Sequence, residues 1–476
     1  MSARLQREDA RHVPGIVHLG LGAFFRAHGA LYVEEAVERS GGDWGIVGVS
    51  LRSADTRDRL RPQGGVYTAI ELGPDAHVPR RVGIVSEVLV APEDPAAVLA
   101  ALAAAKLVTL TVTEKGYCHI PSSGALDFDN EDIRQDLAEA GRPASAIGYI
   151  VRALQARRDE GRTAFTVLSC DNIPQNGALL RDLAIQLANA IDASLGAWIA
   201  DTVAFPCSMV DRIVPATTSD DIDRVEALIG RRDEAPVMHE PFRQWVVEDR
   251  FCADRPDLGA VGVELVADVA PYEHMKLRCL NGTHSALAWL GALAGAETIA
   301  DALAREPFAA YVRHLWAKEI VPVLTPPPGV DLDAYTEALF ERYANPSMHH
   351  RTAQIAMDGS RKLPQRILHS IDDDLSHGRE PRGLFLAAAA WMRYGSGRRL
   401  DGTEIEVRDP IAEKLAACWD DNAYPANVVD RHLALDEVFE PAFARRDGVR
   451  AGLIAALERL LADGPEGAAA AVSSNA

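Results

Sequence analysis

Gly15-Ile-Val-His-Leu-Gly20-Leu-Gly22-Ala-Phe-Phe-Arg-Ala-His28 is the stretch on which the fold turns. Gly15 to Gly20 is a short apolar run that reads as a strand. Two glycines follow, and Ala23 to Arg39 then has helical composition. Strand, glycine turn and helix in that order set a pyrophosphate at a helix N-terminus. A third glycine is expected at position 25, where Phe25 stands, so the fingerprint is G-x-G-x-x-F. A glycine pair after a strand also serves as a plain tight turn. The rest of the chain decides between the two readings.

Working outward, Trp44 to Leu51 is a second strand candidate, followed by Leu51-Arg-Ser-Ala-Asp55. A dinucleotide fold places its ribose-binding acid there. Asp55 is the nearest carboxylate and Ser53 a neutral alternative. Arg52 could instead pair with a 2′-phosphate. The balance favours NAD (NADH) over NADP. Leu107 to Thr113 and Ala164 to Ser169 are further strand candidates, with helical stretches between them, which indicates a parallel α/β sheet. After about residue 270 the pattern turns helical: His284 to Leu303, Pro307 to Ile320, Leu332 to Tyr343, Gly383 to Tyr394, Ala412 to Trp419 and Asp447 to Ala462. The expected fold class is an α/β Rossmann-like N-terminal domain over 13–268 and a mainly α-helical substrate domain over 269–463. The Gly/Ala/Ser-rich stretch 464–476 is expected to be a disordered tail.

At 476 residues the chain is too long for one core. Its net charge of −20 argues against nucleic acid and anionic membranes, because both need a basic face. No apolar run is long enough for a membrane span, and the polar first residues do not read as a signal peptide. Six cysteines, at 118, 170, 207, 252, 279 and 418, include no C-x-x-C pair. Reduced thiols fit a cytoplasmic setting. The expected partner is a small molecule, with the chain a monomer or a small homo-oligomer.

The second informative stretch is Pro271-Tyr-Glu-His-Met-Lys276-Leu-Arg-Cys-Leu-Asn281-Gly-Thr-His284. On an α-helix Lys276, Asn281 and His284 fall at roughly 0°, 140° and 80°, with Glu273 near 60°. One broad face would then carry a base, an amide, an imidazole and a carboxylate. The chain has only six lysines against 43 arginines (49 less six). Arginine cannot deprotonate in a protein, whereas a buried lysine can. An amphipathic helix with a solvated polar face is the alternative reading of the spacing.

Three further segments combine polar residues with apolar surroundings. Ser169-Cys-Asp-Asn172 follows a strand, as does Thr113-Glu114-Lys115; both invite a ligand reading and a turn reading. Asp211-Arg212 sits between apolar residues, as buried structural pairs do. Asp358-Gly-Ser-Arg-Lys362-Leu-Pro-Gln-Arg366 concentrates positive charge in what reads as a loop, suited to an anion or to solvent.

Together these segments resemble the polyol-specific long-chain dehydrogenase/reductase (mannitol dehydrogenase) family. G-x-G-x-F-x-R-A-H matches at Gly20 to His28, V-D-R-[IV]-x-P at Val210 to Pro215, and K-x-x-x-x-N-x-x-H at Lys276, Asn281 and His284. The resemblance runs from about Gly15 to at least Arg366. It implies zinc-independent hydride transfer between NAD(P) and a ketose-level carbon, with no metal. Lys276 would be the general base, Asn172 and Asn281 donors to the reacting oxygen, His284 a guide for a substrate hydroxyl, and Glu273 a proton relay. Gly20, Gly22, Phe24, Arg26, Asp55, Glu114 and Asp211 would lie along the cofactor. Phe25 departs from the family, which often has His there. Glu114 to Cys118 and Asn345 to Arg366 look more like the fructuronate reductases (D-mannonate oxidoreductases) than the mannitol 2-dehydrogenases. Lys115, Arg351, Lys362 and Arg366 would offer cations to a sugar-acid carboxylate.

Rival readings fit less well. Tyr272-x-x-x-Lys276 imitates the short-chain dehydrogenase signature but lies about 250 residues beyond the glycines, not roughly 150. Zinc alcohol dehydrogenases need clustered ligands that these scattered cysteines do not offer. A non-catalytic dinucleotide or sugar-acid sensor would not need an intact Lys/Asn/Asn/His set.

Overall fold

The Gly15 run forms the strand Pro14–Leu19, the centre of a five-stranded parallel sheet. The other strands, in chain order, are Gly45–Ser50, Val85–Val90, Leu107–Leu110 and Thr166–Ser169. Across the sheet the order is third, second, first, fourth, fifth, and every pair is parallel. Val17 lies between Val47 and Val108. Alternate residues along one strand point to opposite faces. Val17 and Leu19 thus enter one core with the helices Pro95–Ala104 and Ala146–Asp159, while Ile16 enters another with Phe25 and Tyr32. Burial on both faces is why these strands read as continuous apolar runs.

This computed structural model describes residues 2–120, 123–420 and 423–474. The chain divides into two units, Met1–Ala270 and Pro271–Ala476. Unit 1 also holds two three-stranded sheets that the sequence did not announce. One joins Ser208–Asp211, Gln244–Glu248 and Glu264–Val266; the other joins Tyr67–Leu72, His77–Val82 and Val237–His239.

The helix expected over Ala23 to Arg39 is two helices, Ala23–Ala27 and Gly29–Ser40, broken at His28. The break follows from packing. Phe25, at the third-glycine position, stacks on His18 of the central strand with ring centroids 3.4 Å apart. Gly29 makes room for that ring, since a Cβ there would come within 2.5 Å of it. An aromatic pair thus does the helix–strand packing that a glycine does in the standard fingerprint.

Unit 2 is helical, with no named strand among its described residues. Two expected helices are interrupted. His284 to Leu303 becomes Thr283–Leu293 and Ile299–Leu303 around Gly295, whose φ is 79°. Glu306–His314 runs into a π-helical turn over Leu315–Ile320. The tail is corrected outright. Chain from Val449 to Ser474 is helical, kinked at Gly464, and Ala468 and Ala469 are buried. Glycine content suggested disorder, but the alanines have the strongest helix propensity and a surface to pack on. Residues 475 and 476 of that tail lie outside the described residues.

Candidate active site

In unit 1 a cavity of about 290 Å³ opens beyond the C-terminal ends of the first, second and fourth strands. The strand order reverses there, the usual place for a ligand in an open α/β sheet. Its wall includes Gly20, Leu21 and Gly22, then Ser50 to Ser53, then Thr111 to Thr113. The two glycines differ. Gly20 has φ 90°, and a Cβ on it would lie 2.1 Å from the Thr111 carbonyl oxygen, so the turn itself demands glycine. Around Gly22 the nearest atom to such a Cβ is 3.8 Å away. The protein leaves space there, as a closely approaching ligand backbone requires.

The other residues expected along the cofactor occupy several different settings in unit 1. Arg26 is buried and turned inward, donating to the Ala235 carbonyl at 2.5 Å and lying over the Tyr67 ring. Phe24 stacks on His28. Asp55 is exposed in the first turn of the helix Asp55–Leu60, accepts from the Ser53 hydroxyl at 3.0 Å, and is not in the cavity wall. Glu114 and Lys115 are exposed on the 3-10 turn Glu114–Tyr117, beside the wall residues Gly116 and Cys118. Asp211 is buried at the end of its strand. The following Arg212 donates to the carbonyls of Ala27 (2.7 Å) and Glu240 (3.0 Å), tying the end of the Ala23–Ala27 helix in place.

Sequence reasoning overlooked Asp171. Its buried carboxylate accepts from the Val112 N–H (3.0 Å), the Thr113 N–H (2.9 Å) and the Tyr117 hydroxyl (3.1 Å). Burial raises its pKa against the pull of these donors. This one side chain fastens the loop after the fourth strand to the loop after the fifth, and it holds Thr113 at φ 66°, where a β-branched residue is strained. Asn172, the neighbouring residue, is exposed. The signal was present: an acid directly after a buried strand, beside the asparagine singled out.

In unit 2 the Lys276 stretch is not a uniform α-helix. Ala270–Met275 is α-helical, Lys276–Gly282 is π-helical and Thr283–Leu293 is α-helical again. Five residues separate hydrogen-bonded partners in a π-helix. Asn281 is therefore one π turn beyond Lys276 and shares its face, in place of the wide separation that an α-helix gives. Lys276, Asn281 and His284 are all buried, and Glu273 is half-buried one turn earlier.

Changing register frees main-chain carbonyls, and side chains take them up. Trp316 Nε1 donates to the Cys279 carbonyl at 2.9 Å, and the Thr283 hydroxyl to the same oxygen at 2.6 Å. The Tyr343 hydroxyl donates to Leu280 at 2.6 Å and an Arg366 Nη1 to Asn281 at 3.4 Å. Gly282 lets another π-helical stretch, Pro364–Leu368, approach: a Cβ there would lie 2.8 Å from the Arg366 carbonyl oxygen.

The positive segment expected to be a loop is helical, Gly359–Leu363 continuing into Pro364–Leu368. It brings Lys362 and Arg366 towards His284. Arg366 also donates to Ser285 Oγ at 3.0 Å. Lys362 Nζ donates to the carbonyls of Ile355 (3.1 Å) and Met357. Burial, followed by the charge of Arg366, pulls the Lys362 pKa down to about 8; burial pulls that of Arg366 down to about 10. Among the described residues, neither cation has a carboxylate within 4 Å. His284 stacks on Tyr343 with centroids 5.1 Å apart and lies 4.6 Å from the His350 ring. Burial, then His350, Arg366, Arg342 and Lys362, holds its pKa well below the ordinary value. This keeps the imidazole neutral, and among the described residues its buried Nε2 has no hydrogen-bond partner. Arg351 is not part of this group. Its exposed side chain pairs with Glu297 at 3.3 Å and lines a separate cavity with Arg399 and Tyr394.

Among the described residues no group of three or more His, Cys, Asp or Glu side chains is placed to hold a metal ion, and no helix is long and apolar enough to cross a membrane. Residues 14–260 match the family model of the mannitol dehydrogenase Rossmann domain, and residues 268–461 that of the mannitol dehydrogenase C-terminal domain. The D-mannonate oxidoreductase of Escherichia coli (strain K12) is 46% identical over 415 residues, 86% of this chain and 85% of that protein. The mannitol 2-dehydrogenase of Cereibacter sphaeroides is 40% identical over 458 residues, 95% of each. The solved structure of Pseudomonas fluorescens mannitol 2-dehydrogenase, a ternary complex with NAD and D-mannitol, is 35% identical with a TM-score of 0.88, covering 100% of this chain and 97% of that one.

Proposed function

The chain belongs to the mannitol dehydrogenase family of oxidoreductases, and on that premise we propose that it interconverts D-fructuronate and D-mannonate with NAD(H). The cavity beyond the sheet suits a dinucleotide: a turn that only glycine can make, an open position at Gly22, and loops from three strand ends. The bound nicotinamide supplies hydride transfer; the chain's own residues orient the sugar and move the proton.

Lys276 takes the hydroxyl proton when the alcohol is oxidised and returns it when the ketone is reduced. Lys276 is buried on the face it shares with Asn281, which holds its amine in position for that transfer. The Asn281 amide, brought onto the same face by the π turn, donates to the oxygen as charge develops on it. His284, kept neutral by burial, offers its Nε2, which has no partner among the described residues, to a substrate hydroxyl. Asn172 acts as a second donor and Glu273 as a relay for the proton.

One observation carries the sugar-acid reading: Lys362 and Arg366 are half-buried cations whose hydrogen bonds, among the described residues, go to neutral oxygens. A partly desolvated charge without a close counter-charge is costly, and a substrate carboxylate would offset that cost. The second reading is a neutral ketose and polyol pair, favoured by the likeness to mannitol 2-dehydrogenases over nearly the whole chain.

Steady-state kinetics on D-fructuronate, D-tagaturonate, D-fructose and D-mannitol with both cofactors tests the choice. The uronate is expected to exceed D-fructose in kcat/KM by at least about 30-fold, corresponding to roughly 2 kcal/mol. Lys362 carries its charge below about pH 8 and loses it above. KM for the uronate is therefore expected to rise between about pH 7 and 9, KM for the ketose to lack this rise, and Lys362→Met to abolish it. D-Fructose as the better substrate would overturn the sugar-acid reading.

A further inference from the structure

We propose that Asp132, by capturing Arg52 across the unit 1 cavity, is the residue that turns this chain against a 2′-phosphorylated dinucleotide. The inference rests on the reading that this cavity receives the adenosine end of the cofactor. An arginine just after the second strand is where such folds place the cation that accommodates a 2′-phosphate. Arg52 stands there, so taken by itself it would favour NADP.

The structure gives that arginine an internal partner. Arg52 Nη2 lies 2.5 Å from Asp132 Oδ2 and Nη1 lies 3.5 Å from Oδ1. Asp132 is the second residue of the helix Glu131–Ala138, about 80 positions away in sequence, and both side chains line the cavity. The Asp132 N–H donates to the Asn130 side chain at 3.0 Å, which fixes the start of that helix. Among the described residues of the wall, Arg52 is the sole cation and Asp132 the sole carboxylate. The pair therefore leaves the wall without net charge.

A 2′-phosphate would bring close to two negative charges beside the Asp132 carboxylate. To use Arg52 it would have to displace that carboxylate without removing it. The ribose hydroxyl of NAD meets no such opposition and can hydrogen-bond to the carboxylate or to the Ser53 hydroxyl. Asp55, which the sequence nominates for this task, lies outside the wall. Arg52 is largely exposed, so the ion pair adds little to stability, and its consequence lies in which ligand is admitted.

Titration of the full-length protein with NADH and NADPH, followed by quenching of tryptophan fluorescence, tests this without turnover. In Asp132→Asn the ratio of the NADPH Kd to the NADH Kd is expected to fall at least about tenfold. Adding Arg52→Ala to that variant is expected to reverse most of the gain, because the freed arginine is what would hold the phosphate. Should Asp132→Asn prove unstable, Asp132→Ser removes the same charge. An unchanged ratio in a folded variant, or a shift produced by Asp55→Asn alone, overturns the assignment to Asp132. Wild-type protein that binds neither dinucleotide overturns the reading of the cavity instead.

Discussion

The two units build their functional chemistry by opposite means. Unit 1 uses a regular sheet and puts its cavity at strand ends, where loops meet and the wall is largely main chain and small side chains. Unit 2 uses helices and puts its buried Lys276, Asn281 and His284 where helical regularity fails, on a π turn whose loosened carbonyls are caught by Trp316, Thr283, Tyr343 and Arg366. A sheet can recognise a ligand at its end with every hydrogen bond intact. A helix presents residues at i, i+3 and i+4, so joining i with i+5 requires a change of register. Irregularity in unit 2 thus belongs to the site, while in unit 1 the register shifts of the sheet, at Pro14/Ile16 and Ile46/Val47, lie away from the strand ends that line the cavity.

This contrast is sharpest where the two units can be disabled independently. Lys276→Ala is expected to lower kcat by more than about 10³-fold, since proton transfer and positioning are both lost, while NADH still binds. Isothermal titration with NADH beside stopped-flow turnover reads both effects. Survival of a tenth of the wild-type kcat would remove Lys276 from the mechanism. Asn281→Ala and Asn172→Ala are each expected to lower kcat by about 10²- to 10³-fold in both directions. If Asn172→Ala moves only the melting temperature, its segment is a structural turn.

The glycines of unit 1 come next. Gly20→Ala forces a side chain into positive φ and against the Thr111 carbonyl, and is expected to destabilise the fold by about 3 kcal/mol. Gly22→Ala meets no such contact; it is expected to keep the wild-type melting temperature and to weaken NADH binding. Chemical denaturation and fluorescence titration of the two variants decide the matter. Equal loss of stability in both would mean that the turn, and not a ligand, dictates both glycines.

The smallest effect falls in unit 2. Tyr343→Phe removes the hydroxyl that caps the Leu280 carbonyl and meets Thr283, at a cost of about 1 kcal/mol. Because that carbonyl belongs to the π turn, kcat is expected to fall severalfold with KM for NADH unaltered. A stability loss with full kcat would show that the π turn keeps its geometry without this support.

Much of this was legible in the sequence for a physical reason. Strands buried on both faces are continuously apolar, and a glycine turn has few substitutes, so the central strand and the Gly20 turn declared themselves locally. The edge strand Val85–Val90 and the two small sheets did not. Val85–Val90 is only partly buried, with Glu87 exposed, and the small sheets depend on partners far off in sequence, as with Ala69 beside Val237. Lys276, Asn281 and His284 could be chosen by residue type, yet their common face could not, because the π register depends on side chains as distant as Tyr343 and Arg366.

Sequence by itself determined a parallel α/β unit followed by a helical one, the family, and the residue types on which an oxidoreductase of this kind is expected to rely. Tertiary structure decided which charges meet. It turned Arg26 inward to Ala235, placed Arg351 against Glu297 away from His284, drew Lys362 and Arg366 towards that imidazole, and closed Arg52 onto Asp132. Residue type fixes what a side chain can do. Whether a guanidinium is spent on a main-chain oxygen, a neighbouring carboxylate or a ligand depends on which groups folding brings within a few ångströms, and short-range sequence does not carry that distance.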